Sequence, residues 1–298
     1  MSVPQTLLSQ FNLDANDFIG AGSESAVYSL NDAQIVRFYG EGDASKKVET
    51  LKAFYDRLAK QPLPFKVPKI ESFGEKNGRY FSIEVKRLGS ALTEIMPTLS
   101  HPQRKIALKT FIQTSAFIKK IEFPQAQFGE ILTLPPIQDE SWSGFLIKRI
   151  RTTFNESMPT ISRDVPHIEA IFSEWQSLLP KLGTIEPQLV HGDFYWGNVL
   201  GDERGMLTPV LDFSPMTVIG DWRLDVVTSK IFLELTEGVK PADIHQAKKI
   251  IDQILGEESA ALEQIYRLYY ALYYSFTKES DPPLYRWCVQ QLRSTSPI

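Results

Sequence analysis

In the first 88 residues, polar and apolar positions follow the two-residue period of strands. Further along the chain they recur at the three- and four-residue spacing of helices. Val27, Tyr28, Ser29 and Leu30 alternate, Asn31-Asp32 supplies a turn, and Ile35-Val36-Arg37-Phe38-Tyr39 reads as a second strand. A helix is expected over residues 44–59, with Val48, Leu51, Phe54, Tyr55 and Leu58 on one stripe. Pro62, Pro64 and Pro68 interrupt any helix, and Lys69 to Phe73 reads as a strand. Asn77-Gly78 is a strong hairpin signal, followed by Tyr80, Ser82 and Glu84 alternating with Phe81, Ile83 and Val85.

Ser100, with Pro102 in the first turn, starts a helix carrying Ile106, Leu108, Phe111, Ile112 and Phe117. Phe123 to Asp139, rich in Pro and Gln and without period, reads as a loop. Trp142, Phe145 and Ile150 restart a helix through Phe154. Asp164 is the expected cap of the next, which stops at Gly183. Three further helices are expected over residues 225–237, 242–255 and 259–276. The pattern is that of an α+β chain, with a small strand-rich region over residues 1–88 and a larger helical one over residues 89–298.

The chemistry concentrates where two short apolar runs, Leu189-Val190 and Val199-Leu200, bracket His191-Gly192-Asp193-Phe194-Tyr195-Trp196-Gly197-Asn198. A second apolar run ends in Asp212-Phe213. Phosphoryl transfer needs such a set: a carboxylate to accept or orient the proton of an attacking hydroxyl, and an amide oxygen with a second carboxylate to hold Mg²⁺ on nucleotide phosphates. A capping turn with a chance Asp and Asn is the bland alternative, and it leaves Asp212 unexplained.

With Gly192 where protein kinases carry Arg, His-Gly-Asp-x-x-x-x-Asn followed by Asp212-Phe213-Ser214 resembles the signature of the aminoglycoside phosphotransferase and choline kinase-like family. The resemblance implies a bilobal protein-kinase-like fold: a small antiparallel-sheet N-lobe that binds nucleotide, residues 1–88, and a mainly helical C-lobe with the catalytic loop and substrate site, residues 89–298. It implies Asp193 as the catalytic group and Asn198 and Asp212 as metal ligands, with Mg²⁺ and ATP or GTP as phosphoryl donor. The acceptor is then a small-molecule hydroxyl: aminoglycoside, amino alcohol or sugar-like.

Upstream, Gly20-Ala21-Gly22-Ser23-Glu24-Ser25 is neither a dinucleotide fingerprint nor a Walker loop. Placed before the catalytic pair it resembles the phosphate-covering loop, so Gly20, Gly22, Ser23 and Ser25 are candidate nucleotide contacts, the glycines allowing a tight backbone bend. Arg37 stands where protein kinases place Lys, in a run similar to that of choline kinases; arginine makes the same charge-assisted contacts in a more rigid form. Glu49 is the candidate partner that holds Arg37, the alternative being an exposed carboxylate near the helix start. Glu84 begins the hinge expected over residues 84–89, where backbone groups of the family bind the base. His191 is expected to be structural, packing beneath Asp212, and Asp221 and Asp225 to brace the loop. Trp142, Trp222, Tyr269, Tyr270, Tyr273 and Tyr274 with Glu234, Glu237 and Asp281 offer either a cation cage or core.

A net charge of −4 argues against a nucleic-acid-coating surface. Cys288 is the only cysteine, which excludes an intrachain disulfide and a cysteine zinc cluster, and the four histidines have no metal-ligand spacing. The chain opens without a signal-peptide pattern and holds no apolar run of membrane-spanning length, so a cytoplasmic enzyme, monomeric or weakly dimeric, is expected. Only twelve residues separate Asp212 from Asp225, too few for a long regulated segment, so activity without phosphorylation is expected. The competing reading is a catalytically silent relative that binds nucleotide or metabolite as a sensor or scaffold.

Overall fold

The computed structural model describes residues 3–22, 25–40, 44–124 and 127–295. The chain divides into two units, Met1–Ser90 with Thr208–Asp212, and Ala91–Leu207 with Phe213–Ile298.

The first unit contains helices α1 (Gln5–Ser9) and α2 (Ser45–Leu58) and strands β1 (Phe18–Ala21), β2 (Ser25–Ser29), β3 (Gln34–Tyr39), β4 (Ile70–Lys76) and β5 (Arg79–Val85). The strands form one antiparallel sheet in the order β1-β2-β3-β5-β4. Asn77 and Gly78 both adopt positive φ, 52° and 74°, the backbone of a type I′ turn, and close the β4–β5 hairpin as expected.

Register decides what each face of this sheet does. Ala26 pairs with Phe38 and Tyr28 with Val36, so these four share the face on which Leu7, Leu8 and Leu13 pack. The Phe11 ring meets Phe38 and Phe81 edge-on there, with centroids 5.2 and 4.9 Å away. By the same two-residue period, Ser25, Arg37, Tyr39, Ser82 and Glu84 belong to the opposite face. Thr208–Asp212 returns to this unit by a short parallel bridge: the Lys66 N–H donates to the Thr208 carbonyl at 2.7 Å and the Val210 N–H to the Lys66 carbonyl at 2.9 Å.

The chain passes through β6 (Ser90–Ala91) into the second unit, which holds α3 (Leu92–Ile95), α4 (His101–Phe117), β7 (Phe128–Glu130), β8 (Gln138–Asp139), α5 (Trp142–Asp164), α6 (Ile168–Leu178), β9 (Gln188–Val190) and β10 (Val199–Gly201). After β11 (Leu207–Val210) come β12 (Val218–Gly220), α7 (Arg223–Ile231), α8 (Pro241–Leu255), α9 (Ser259–Tyr273) and α10 (Pro282–Ser294). A small antiparallel sheet runs β8-β7-β12-β9. One core joins it to the helices, with Phe145, Trp175, Tyr266 and Tyr270 all buried.

Three expectations are corrected here. The stretch read as a loop contains β7 and β8, which at three and two residues are too short to show a period. Helix α5 does not end at Phe154 but continues through Pro159 to Asp164, because Ser157 and Ile161 are buried and the Ser157 and Ser275 hydroxyls bond at 2.9 Å. Asp164 therefore caps nothing: its carboxylate accepts from the Tyr285 hydroxyl at 2.6 Å and from Lys278 at 2.8 Å. Helix α10, not foreseen, is capped by Asp281, whose side chain accepts the Leu284 N–H at 3.0 Å.

A buried ion pair ties α4 to α8. Arg104 Nε donates to Asp243 at 2.8 Å, its Nη2 also bonds Asp243 and the Gly238 carbonyl, and its Nη1 bonds the Met96 carbonyl. Both side chains are below a tenth exposed. Removing one partner strands the other charge in the interior. Asp243→Ala is therefore expected to cost about 3–5 kcal/mol of unfolding free energy, read from denaturant melts.

Candidate active site

The loop from β9 to β10 carries the first group of site residues, and its shape is set by contacts of its own backbone. Asp193 is half-buried, and the Asn198 amide nitrogen donates to its backbone carbonyl at 2.9 Å and to its carboxylate at 3.1 Å. Those two hydrogen bonds assign the Asn198 amide and leave its Oδ1 outside them. His191 is fully buried; its Nδ1 accepts the Asp193 N–H at 3.3 Å, and its ring lies 4.7 Å from that of Phe213. Its place is structural: it packs on the residue that follows Asp212 and turns the Asp193 backbone.

Asp225, at the start of α7, braces the loop from below. Its two carboxylate oxygens accept the N–H groups of His191, at 2.7 Å, and Gly192, at 2.8 Å. The Tyr270 hydroxyl donates to the Gly192 carbonyl at 2.5 Å, and the Thr217 hydroxyl to the His191 carbonyl at 3.2 Å. Gly192 has φ +78°, and a Cβ there would fall on the Met216 carbonyl. No side chain fits at this position, least of all the arginine of protein kinases. Burial pushes the Asp225 carboxyl up, to about 7; the two N–H groups oppose this and the Asp193 charge adds to it. Asp221, expected to brace the loop too, instead holds the start of α7: it accepts the Arg223 N–H at 3.0 Å, Arg223 Nε at 2.9 Å and the buried Tyr266 hydroxyl.

The first unit carries the second group. Arg37 on β3 sits between two strands: its Nε donates to Glu84 at 2.8 Å and its Nη1 to the Ser25 hydroxyl at 3.1 Å. Burial works against the guanidinium charge, but the Glu84 charge and hydrogen bond outweigh it and hold Arg37 firmly protonated. The expected pairing with Glu49 is thereby corrected. Glu49 lies exposed on α2, whereas Glu84 stands diagonally across the β3–β5 ladder on the face of Arg37. The role of Glu84 changes with it, from hinge residue to ion-pair partner inside β5, its side chain 4% exposed. Neither Gly20 nor Gly22 needs positive φ, so a tight bend does not explain them; a Cβ on either would meet no protein atom within 4 Å. Ser23 lies outside the described residues. Asp212 adopts φ +56°, a costly conformation for a residue with a side chain, of the kind that persists at functional positions.

Among the described residues, no three His, Cys, Asp or Glu side chains converge as a metal site. Of the cage candidates, Trp142, Tyr269 and Tyr270 are core and the Glu234 carboxylate is taken by Arg267 at 2.6 and 2.7 Å, while Trp222, Tyr273 and Tyr274 are half-buried. Three contacts escaped sequence reasoning: Glu84 with Arg37, Tyr270 with Gly192, and buried Arg149, which bonds the Pro215 carbonyl at 2.7 Å.

The model of the phosphotransferase enzyme family (APH) matches residues 17–253, and the chain belongs to that family. Its fold is that of solved aminoglycoside phosphotransferases. A thermostable mutant of APH(4)-Ia matches with TM-score 0.69 at 19% identity, over 99% of this chain and 100% of that one. The gentamicin complex of APH(2'')-IIa gives 0.67 at 17%, over 99% and 98%, and ADP-bound APH(2'')-Ib gives 0.65 at 16%, over 97% and 96%. No curated protein matches the chain in sequence.

Two outcomes follow from the brace. Gly192→Ala, which forces a Cβ onto a carbonyl at positive φ, is expected to lower turnover on the order of a hundredfold by displacing Asp193. Steady-state kinetics beside a thermal melt separate this from unfolding. The raised Asp225 pKa means that the folded state binds a proton that the unfolded state releases near pH 4, so stability falls as pH rises from about 4 through about 7. Asp225→Asn is expected to flatten the fall in Tm between pH 5 and 8.

Proposed function

We propose that the protein transfers the γ-phosphoryl group of ATP or GTP to a hydroxyl of a small molecule in a Mg²⁺-dependent reaction. The observation that carries this reading is the Asp193–Asn198 pair, fixed by two hydrogen bonds from one amide and braced from beneath by Asp225. Family membership supports the reaction class, and solved proteins of the same fold are complexes with ADP, ATP or GDP.

In this reading the acceptor oxygen forms a bond to the γ-phosphorus while the bond from that phosphorus to the β,γ-bridging oxygen breaks, releasing ADP or GDP. Asp193 orients the acceptor hydroxyl and takes its proton. Arg37 meets the α- and β-phosphates from the sheet, with Ser25 beside it and Gly20 and Gly22 leaving room for close approach of the nucleotide. Asn198 and Asp212 would hold Mg²⁺, which supplies charge neutralisation on the phosphates. The first unit acts as the nucleotide-binding lobe and the second as the catalytic and acceptor lobe. The site needs no phosphorylation, since Gly192 cannot carry a phosphate-reading arginine and β12 and α7 follow Asp212 within a dozen residues. Among the described residues no helix is long and apolar enough to cross a membrane; a cytoplasmic enzyme, monomeric or weakly dimeric, fits this reading.

Gentamicin is the ligand of the APH(2'')-IIa complex, and amino sugars are one acceptor class to test beside amino alcohols and simple sugars. The test is ADP and GDP release with Mg²⁺ across such a panel, with Asp193→Asn in parallel. Acceptor-stimulated release is expected to drop by about 10²–10⁴-fold in the variant while nucleotide binding persists. Nucleotide binding without release under any acceptor would overturn the catalytic reading in favour of a silent copy.

A further inference from the structure

Helix α2 carries two carboxylates, and neither serves Arg37. Glu49 is exposed, and Asp56 pairs with Lys52 one turn away at 2.6 Å. The α2 residue that does lie in the field of Arg37 and Glu84 is Tyr55, buried, its phenol held protonated by burial and by the charges of Glu84 and Asp212. The helix thus brings a neutral hydroxyl to this face, and the counter-charge comes from the sheet.

Resting on the phosphotransferase reading, we infer that Glu84, with Ser82 and Tyr39 behind it, is the positioning residue of Arg37, so that the phosphate-gripping arginine is set by its own sheet and not by helix α2. The hydrogen bonds have a direction that supports this. The Ser82 hydroxyl donates to Glu84 at 2.8 Å, and having one proton it must accept from the Tyr39 hydroxyl, 3.0 Å away. The Glu84 oxygen that receives Ser82 also receives Arg37 Nε, and Ser25 on β2 takes Nη1. Among the described residues, the partners of the guanidinium lie on β2 and β5, the two neighbours of β3. With Nε and Nη1 engaged, the Nη2 end is the one presented to phosphates. A pair built on adjacent strands contains no hinge: a shift of α2 leaves Arg37 in place, and a switch that breaks the arginine's ion pair by moving the helix has nothing to break.

The test is calorimetric titration of the full chain with ADP and with GDP in the presence of Mg²⁺. Glu84→Gln is expected to weaken nucleotide binding about tenfold, and Ser82→Ala less, in the same direction. Glu49→Gln is expected to leave binding unchanged. In an Arg37→Met background, Glu84→Gln should have no further effect, because it acts only through the arginine. Equal losses from Glu84→Gln in both backgrounds would mark a merely structural role and overturn the inference, as would unchanged binding in Glu84→Gln and Ser82→Ala, or a loss in Glu49→Gln as large as in Glu84→Gln. Should Glu84→Gln fail to fold, Ser82→Ala with and without Arg37→Met decides the same point. No binding of either nucleotide by the unsubstituted protein would overturn the phosphotransferase reading and the inference with it, whereas binding that ignores Glu84 would overturn the inference alone.

Discussion

The second unit depends on one buried carboxylate. Asp225 takes the N–H groups of His191 and Gly192 on its two oxygens, and through them it fixes the backbone that aims Asp193. Burying that carboxylate is costly, and the two N–H bonds only partly offset the cost, as its raised pKa records. The return is geometric: with its N–H on Asp225, its carbonyl on Tyr270 and its Cα against Met216, Gly192 has one conformation open to it. Such a site is pre-organised before any ligand arrives, which is the condition for a carboxylate to act on a developing charge without reorganisation at the moment of reaction.

A buried carboxylate also fixes a polar group in the first unit, there by a direct ion pair. Glu84, its side chain 4% exposed against 25% for the arginine, holds Arg37. The Arg37 guanidinium keeps some access to solvent while Glu84 is sealed, and in the second unit Asp193 is half-buried while Asp225 is sealed. Truncating the sealed partner is the damaging change, because it leaves a charge or a pair of amides without compensation. Asp212 carries a constraint of another kind, a left-handed backbone shortly after the Lys66–Pro209 bridge that anchors its segment.

Elements with a period or a turn signature were legible from sequence. The β4–β5 hairpin is written in Asn77-Gly78, α2 in its stripe, and the β9–β10 loop in two apolar pairs around Asp193 and Asn198. Strands β7 and β8 were not, since two or three residues cannot display alternation, and α5 outran its expected end because tertiary packing overrode Pro159. Within the site, residue types at fixed spacing were readable, whereas pairings set by register were not. Glu84 and Glu49 are both carboxylates at plausible distances along the chain from Arg37. Only the alignment of Arg37 with Ser82 across β3 and β5 places Glu84 beside the guanidinium. Likewise the helical spacing of the α9 tyrosines reads as core, but it does not show that Tyr270 spends its hydroxyl on Gly192.

The brace on Gly192 extends further than Asp225. Met216 can press its carbonyl against Gly192 only if the segment after Asp212 is itself held, and Arg149 on α5 holds it, bonding the Pro215 carbonyl at 2.7 Å and facing Met216 sulfur at 3.3 Å. Arg149 is buried in turn against Glu130 on β7, 3.3 Å from its Nε, and against the Tyr273 ring, 5.2 Å from its centroid. A chain of contacts therefore runs from the strand no pattern announced, through one buried arginine and the turn before β12, to the glycine that the catalytic loop cannot exchange. Because each link is a buried polar group with its partner on a different element, the loop's geometry is a property of the whole second unit and not of the His-Gly-Asp motif. The packing beneath the motif, and not the motif alone, fixes the backbone that carries Asp193.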